Sequence, residues 1–392
     1  MRTPAAFALS LLTACGGGET TNPSGGAAGA GTSNAGGTSS SAGAGGSSAA
    51  AGAGAAAAAG ASSVGGGAGT AGSDVGGGGG AVPSVAAIHV VRRVLLGDAN
   101  PDGTLADDAW KQYGTNVDGL VSAPGSTPHC TPVPGGKADD IQQDGNDGID
   151  NSFGRSIVKL IKSFSTGAPP TEALVTSIAG GGSTLVFTFD ALPVGPDGPV
   201  SSGQLFAARG RRDADGKQIV PTDDDWKNGT YAWDLLDSGL ASTSPPTSMV
   251  KLAAGTLAGN VWSAGGQAEL TLSLPVKGVP LDLHVRRAQV RTTFSDDHKT
   301  TTGGVIGGLL VTDEFVANFD KIAGRLSTSL CNAALKGVVD TSLRISSDVL
   351  SDGTQDSTKT CDAISIGIGF ETAPGQLGMP VAADPLGVDP CM

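Results

Sequence analysis

Residues 16–82 are almost entirely glycine, alanine, serine and threonine, with Glu19 and Asp74 as their only charges and no aromatic residue. Such a stretch carries too little apolar surface to offset the entropy of ordering its backbone. The alanine run at 55–59 is bracketed by glycines, which stop a helical turn from propagating. Any folded body must therefore come from residues 83–392, and residues 15–82 read as a flexible tether. At roughly 5–6 Å times the square root of chain length, the 67 residues of 16–82 give an r.m.s. reach near 45 Å, enough to lift a domain clear of lipid headgroups.

Upstream, Arg2 supplies a positive start and residues 5–12 a short apolar run, closing on Leu12-Thr13-Ala14-Cys15. The run is shorter than the roughly 20 apolar residues a spanning helix needs. The order aliphatic, small, small, cysteine resembles the lipobox of bacterial lipoproteins. The resemblance implies removal of a signal peptide, residues 1–14, and acylation of Cys15 at its thiol and its new amino group. Acyl chains contributing roughly 0.8 kcal/mol per buried methylene hold a protein on a membrane without a transmembrane helix. The first expected partner is thus a membrane, met through lipid. Gly16 in place of an aspartate after the cysteine points, by analogy with enteric sorting, to the outer membrane of the cell envelope.

The whole chain carries a net charge of −13, and setting aside Arg2, Glu19 and Asp74 leaves 23 basic and 35 acidic residues, about −12, on the remainder. An acidic surface argues against nucleic acid as a partner. Besides Cys15 there are four cysteines, Cys130, Cys331, Cys361 and Cys391. An even number in an exported chain reads as two disulfides, and no CxxC spacing suggests a redox or zinc motif. Of the possible pairings, Cys331–Cys361 closes a local loop and is the expected one, leaving Cys130–Cys391 to tie back the tail.

Two acidic stretches raise calcium as a cofactor. Asp98, Asn100 and Asp102, followed by Gly103, match the D-x-N-x-D-G opening of a calcium loop, with hard oxygens at alternate positions and glycine at the sharp turn. Ala109 stands where such a loop places its closing carboxylate. The second stretch, around Asp144 and Asp147, resembles a thrombospondin type 3 repeat with a spacing one residue short. Asp150, Asn151 and Ser152 also make a helix start, with Phe153, Ile157, Leu160, Ile161 and Phe164 on one helical face. If both loops bind the ion, Asp98, Asp102, Asp144 and Asp147 are the preferred ligands.

Beyond Pro170 the pattern turns to two-residue alternation. Leu185, Phe187 and Phe189 line one strand face, Leu270, Leu272, Leu274 and Val276 another, and Leu281, Leu283 and Val285 begin the next. Arg286-Arg287 breaks the phase, which resumes at Ala288, Val290, Thr292 and Phe294, and a bulge accounts for the shift. Thr312 is expected to cap a helix that turns Phe315, Val316, Phe319 and Ile322 inward, and a second helix is expected between Cys331 and Leu350. The expected architecture is β-rich α+β: an antiparallel sandwich or barrel with three or four peripheral helices.

Several segments, Trp110-Lys-Gln-Tyr-Gly114 with Asp118-Gly119, Asp147-Gly-Ile-Asp-Asn-Ser-Phe-Gly154, Thr302-Gly-Gly-Val-Ile-Gly-Gly308 and Cys361-Asp-Ala-Ile-Ser-Ile-Gly367, resemble uncharacterised surface lipoproteins of myxobacteria. The resemblance implies a shared fold and no particular reaction.

Catalytic signatures are sparse. The four histidines, His89, His129, His284 and His298, lack metal-ligand spacing, and the chain has neither a G-x-S-x-G elbow nor a Walker loop. Ser156-Ile-Val-Lys159 fits S-x-x-K, but S-D-N and K-T-G, its usual companions, are missing. The tryptophans Trp110, Trp226, Trp233 and Trp262 read as core anchors. Trp226, beside three aspartates in what reads as a loop, is the candidate to stack on a sugar ring from an exposed position. The expected function is a lipid-anchored display domain that binds a glycan or protein ligand. The competing readings are a carboxylate-dependent hydrolase acting on glycans and a structural envelope component.

Overall fold

The structure, a computed structural model, describes residues 84–126, 129–164, 168–200, 202–276 and 278–391, all within one compact unit, Gly77–Met392. The expected signal peptide, the expected lipidation site Cys15 and the expected tether lie outside the described residues. Strand β1 (Ser84–Leu95) is followed by helices α1 (Ala138–Ile141), α2 (Val158–Phe164) and α3 (Pro170–Ala179). Strands β2 (Ser183–Pro193), β3 (Gly198–Val200) and β4 (Gly203–Arg209) lead into helix α4 (Asp223–Asn228). Then come β5 (Ala232–Leu236), β6 (Leu240–Thr243), β7 (Pro246–Ser248), β8 (Val250–Leu252) and β9 (Gly255–Ala258). The long strands β10 (Val261–Val276), β11 (Val279–Phe294) and β12 (Thr301–Val311) precede helices α5 (Thr312–Leu326) and α6 (Ala333–Ile345). Strands β13 (Ala363–Pro374) and β14 (Gln376–Val381) close the sequence of elements.

Twelve strands form one sheet in the order β14-β5-β4-β2-β1-β13-β12-β11-β10-β9-β3, with β8 also paired to β4; β6 and β7 make a separate hairpin. Every pairing in the large sheet is antiparallel except β14 with β5. The sheet curls strongly. Strands β2 and β10 are five positions apart, which in a flat sheet separates them by about 24 Å. Yet the rings of Phe189 on β2 and Trp262 on β10 meet edge to face with centroids 4.9 Å apart. The two arms therefore face each other, and their inward residues form a single core. The expected β-rich fold is borne out in this half-barrel form.

Alternation places the core as the sequence suggested. Leu185, Phe187 and Phe189 point into the main core while Val186 points into a second cluster behind the sheet, with Val90, Phe206 and Trp233. Strands β1 and β2 are thus covered on both faces, which is why Val90-Val91 and Val186-Phe187 are consecutive buried residues. The phase break at Arg286-Arg287 is a bulge: the register with β12 slips between Arg286 and Gln289, and Arg287 takes φ of 52°. Helix α5 adds Phe315, Val316, Phe319 and Ile322 to the main core and contacts β11 and β12.

Two expectations fail. Thr312 is not a cap: Val311 holds that position without a side-chain bond, and the Thr312 hydroxyl pairs with Ser347 Oγ at 2.7 Å. The four cysteines do form two disulfides, but the pairs are Cys130–Cys361 and Cys331–Cys391. Proximity along the chain misled. A parallel bridge of Thr131 with Thr360 brings Cys130 beside Cys361, and that bond spans 231 residues. Residues 382–391 form an exposed, irregular strap that ends at the second disulfide.

Candidate functional site

A shallow groove of about 670 Å³ runs over the β1–β13 pair, between α3, α4 and the turn joining β11 to β12. Its aromatic element is Trp226. The sequence read this residue as part of a loop, but it lies on α4, a single short helix held at both ends. Thr222 Oγ1 accepts the Asp225 N–H at 3.2 Å and Asp225 Oδ2 accepts the Thr222 N–H at 2.9 Å, a reciprocal cap. Gly229 ends the helix with φ of 65°, a left-handed conformation suited to glycine. Trp226 is half-buried, leaning on Trp233 at 5.3 Å between ring centroids, while Tyr231 meets Trp233 from the side at 5.1 Å. The aromatic stack fixes the indole without hiding it.

Around the indole the groove is charged. Glu371 bridges Arg92 and Arg93 at 3.3 and 3.5 Å, and Lys299 meets Asp297 at 3.4 Å. Lys227 and Asp223 complete four cationic and three anionic side chains, a local balance unlike the acidic remainder of the body. An aromatic face among hydrogen-bonding side chains in a shallow trough is suited to a flat, hydroxyl-rich ligand.

The residues expected to hold calcium engage neighbours within the protein. Asp98 accepts bonds from the hydroxyl and N–H of Thr171, and Asn100 Oδ1 accepts from Gln112 at 2.8 Å. Asp102 Oδ1 accepts both the N–H and hydroxyl of Thr104, at 2.8 and 2.6 Å, a local turn that holds its carboxyl below the usual range. The same device recurs at Asp352 with Thr354 and at Asp356 with Thr358. Asp144 accepts the Ser122 N–H, and burial raises its pKa; Asp147 is exposed, in a left-handed turn with φ of 54°. The structure does not bring Asp98 and Asp102 together with Asp144 and Asp147, and no group of three or more metal-binding side chains is assembled among the described residues.

A feature the sequence reading missed is a set of buried aspartates beneath the loops. Asp150 is 6% exposed and accepts the Val117 N–H at 2.6 Å. Burial, reinforced by the carboxylates of Asp118 and Asp348, pushes its pKa up to about 9. Asp348 accepts the N–H and hydroxyl of Ser365 at 2.8 and 2.5 Å, and burial raises it to about 6. Gln355 donates to Asp118 at 2.7 Å and accepts from the Cys130 N–H at 2.9 Å, tying this set to the first disulfide. These oxygens accept from backbone, hydroxyl and side-chain amide donors, so the set braces loops. A lone Asp-Asn-Ser triplet in sequence gives no sign that residues 118 and 348 converge on it.

Of the histidines, His89 is buried between the rings of Phe189 and Phe294, and burial lowers its pKa to about 4. His284 is exposed on β11 and contacts Glu314 at 2.6 Å. No family model, curated protein or solved structure matches the chain. No helix among the described residues is long and apolar enough to cross a membrane.

Proposed function

We propose that this chain is a lipid-anchored protein of the cell envelope, tethered through Cys15 at the outer membrane, whose β-rich domain binds a glycan along the Trp226 groove. The supporting observation is the half-buried Trp226, fixed on a capped helix and backed by Trp233, in a trough edged by Arg92, Arg93, Lys227 and Glu371. A rigid aromatic surface needs little ordering on binding, so its contact area contributes to affinity at low entropic cost. The lipobox-like Leu12-Thr13-Ala14-Cys15 and the tether behind it support the anchored location.

A glycan array probed with the purified protein tests the binding half. Retention of a restricted set of saccharides by the wild type, lost in Trp226→Ala with the fold retained by circular dichroism, is the expected result; indifference of the bound set to this substitution defeats the reading. For the anchor, metabolic labelling with palmitate is expected to mark the wild type and not Cys15→Ala. An unlabelled wild type in the soluble fraction refutes it.

A further inference from the structure

A second cavity, of about 460 Å³, opens at the mouth of the curled sheet, between β4 and the hairpin end of β10 and β11. Its volume lies in the roughly 300–1,000 Å³ range of pockets that take small molecules. Leu185, Leu205, Val250 and Val279 contribute apolar walls, and Met249 and Leu386 expose apolar surface at the rim, 63% and 48% accessible. The strap of residues 382–391 crosses this opening. Asp384 is gripped there by two arginines, one carboxylate oxygen on Arg209 and the other on Arg212. Farther along, Arg325 donates to the Gly387 carbonyl at 3.0 Å and meets Asp389 at 3.5 Å, and Cys391 fixes the end to Cys331. The Arg209 side chain is 16% exposed, and its Nε–H is buried with no hydrogen-bond partner.

We infer that this mouth is a binding site for an apolar monocarboxylate of the fatty-acid class, and that Asp384 is the protein's own occupant of the carboxylate position. Three features converge on that chemistry. Leu185, Leu205, Val250 and Val279 on the walls and Met249 and Leu386 at the rim give a hydrocarbon body apolar surface to cover, among serine and threonine hydroxyls. Arg209 offers a planar, permanently charged donor set matched to a carboxylate, with one donor still unused. A carboxylate already sits on that guanidinium, carried by a strap whose other holds lie farther along, at Gly387, Asp389 and Cys391. Asp282 also lines the cavity but is exposed on β11, where solvent screens it from the arginine end. Binding exchanges one carboxylate for another on Arg209, lifts the middle of the strap, and leaves its end secured by the disulfide.

Calorimetric titration of the full protein with monomeric oleate, with oleyl alcohol as the uncharged control, tests this. The wild type is expected to bind oleate in preference to the alcohol. Asp384→Asn, which weakens the internal competitor, is expected to tighten oleate about tenfold, the equivalent of roughly 1.4 kcal/mol. Arg209→Gln, which removes the charge, is expected to erase most of the preference for acid over alcohol while retaining the fold by circular dichroism. Trp226→Ala is expected to leave oleate binding unchanged, which separates this site from the glycan groove. Equal affinity for acid and alcohol, no oleate binding by either wild type or Asp384→Asn, or binding only to phosphatidylglycerol vesicles overturns the assignment.

Discussion

Asn151 and Gly367 exchange a reciprocal pair of hydrogen bonds: Asn151 Oδ1 accepts the Gly367 N–H at 3.0 Å, and Asn151 Nδ2 donates to the Gly367 carbonyl at 3.1 Å. The same amide also reaches the carbonyls of Trp110 and Tyr113 and accepts the Gly154 N–H, so one side chain ties together three backbone segments, 110–113, 154 and 367. Its side chain is buried, and Gly367 has no Cβ because one would stand 2.2 Å from the Tyr113 carbonyl oxygen. Asn151→Asp keeps the acceptor but turns a second oxygen toward three carbonyls. Chemical denaturation is expected to show a loss of about 3 kcal/mol or more, from orphaned buried groups and a buried charge. A loss below about 1 kcal/mol contradicts the role.

The disulfide pairs make a ranked prediction. Peptide mapping without reduction is expected to recover Cys130 linked to Cys361 and Cys331 linked to Cys391. In the chain-entropy account, replacing both cysteines of the 231-residue bridge costs about 5 kcal/mol, against about 4 for the 60-residue one. Equilibrium unfolding of the two double-alanine variants checks the order.

Asp150 makes stability depend on pH in a definite direction. Its folded pKa, about 9, lies above its unfolded value of 3.8, so the folded state holds a proton that the unfolded state releases. The stabilisation is complete below about pH 3.8 and drains away as pH rises toward 9, by at most roughly 1.4 kcal/mol per unit. Asp150→Asn preserves an acceptor for the Val117 N–H and is expected to flatten that decline. A denaturation series from acid to alkaline pH reads it directly; an unchanged slope in the variant refutes the assignment.

His89 acts with the opposite sign. Its folded pKa, about 4, is below its unfolded 6.5, so its contribution is present above 6.5 and is lost as pH falls toward 4. His89→Gln is expected to remove this acid sensitivity at some cost in packing between Phe189 and Phe294. The comparison to make is the acid limb of the same series, with the variant normalised at neutral pH.

The cap on α4 offers a graded test of the groove. Thr222→Ala removes the acceptor for the Asp225 N–H and is expected to cost about 1 kcal/mol, leaving the sheet intact. Saccharide affinity is expected to fall, but less than in Trp226→Ala, because the indole keeps its support from Trp233. Equal losses in both variants contradict a positioning role for the cap.

What the sequence reveals is governed by locality. Leu270 through Val276 and Leu281 through Val285 announce a hairpin because alternation is a near-neighbour property, and the bulge at Arg286-Arg287 is visible as a phase error in that pattern. The disulfide partners are not visible, because what joins Cys130 to Cys361 is a pairing between segments remote along the chain. Helix α4 escapes notice because six polar-rich residues carry no apolar period, although Thr222 and Asp225 spell its cap and Gly229 its end. Aspartate before a turn serves ion ligation and turn closure alike, so sequence does not separate the two; Thr104, two residues beyond Asp102, marks the turn. Convergence of Asp118, Asp150 and Asp348 depends wholly on tertiary packing.

Strand β1 is the first element of the domain and lies between β2 and β13 rather than at an edge. Tension arriving along the preceding residues therefore meets two hydrogen-bonded ladders loaded lengthwise. Those ladders must shear together rather than unzip one bond at a time. A body fastened this way resists being pulled open from the end at which β1 begins.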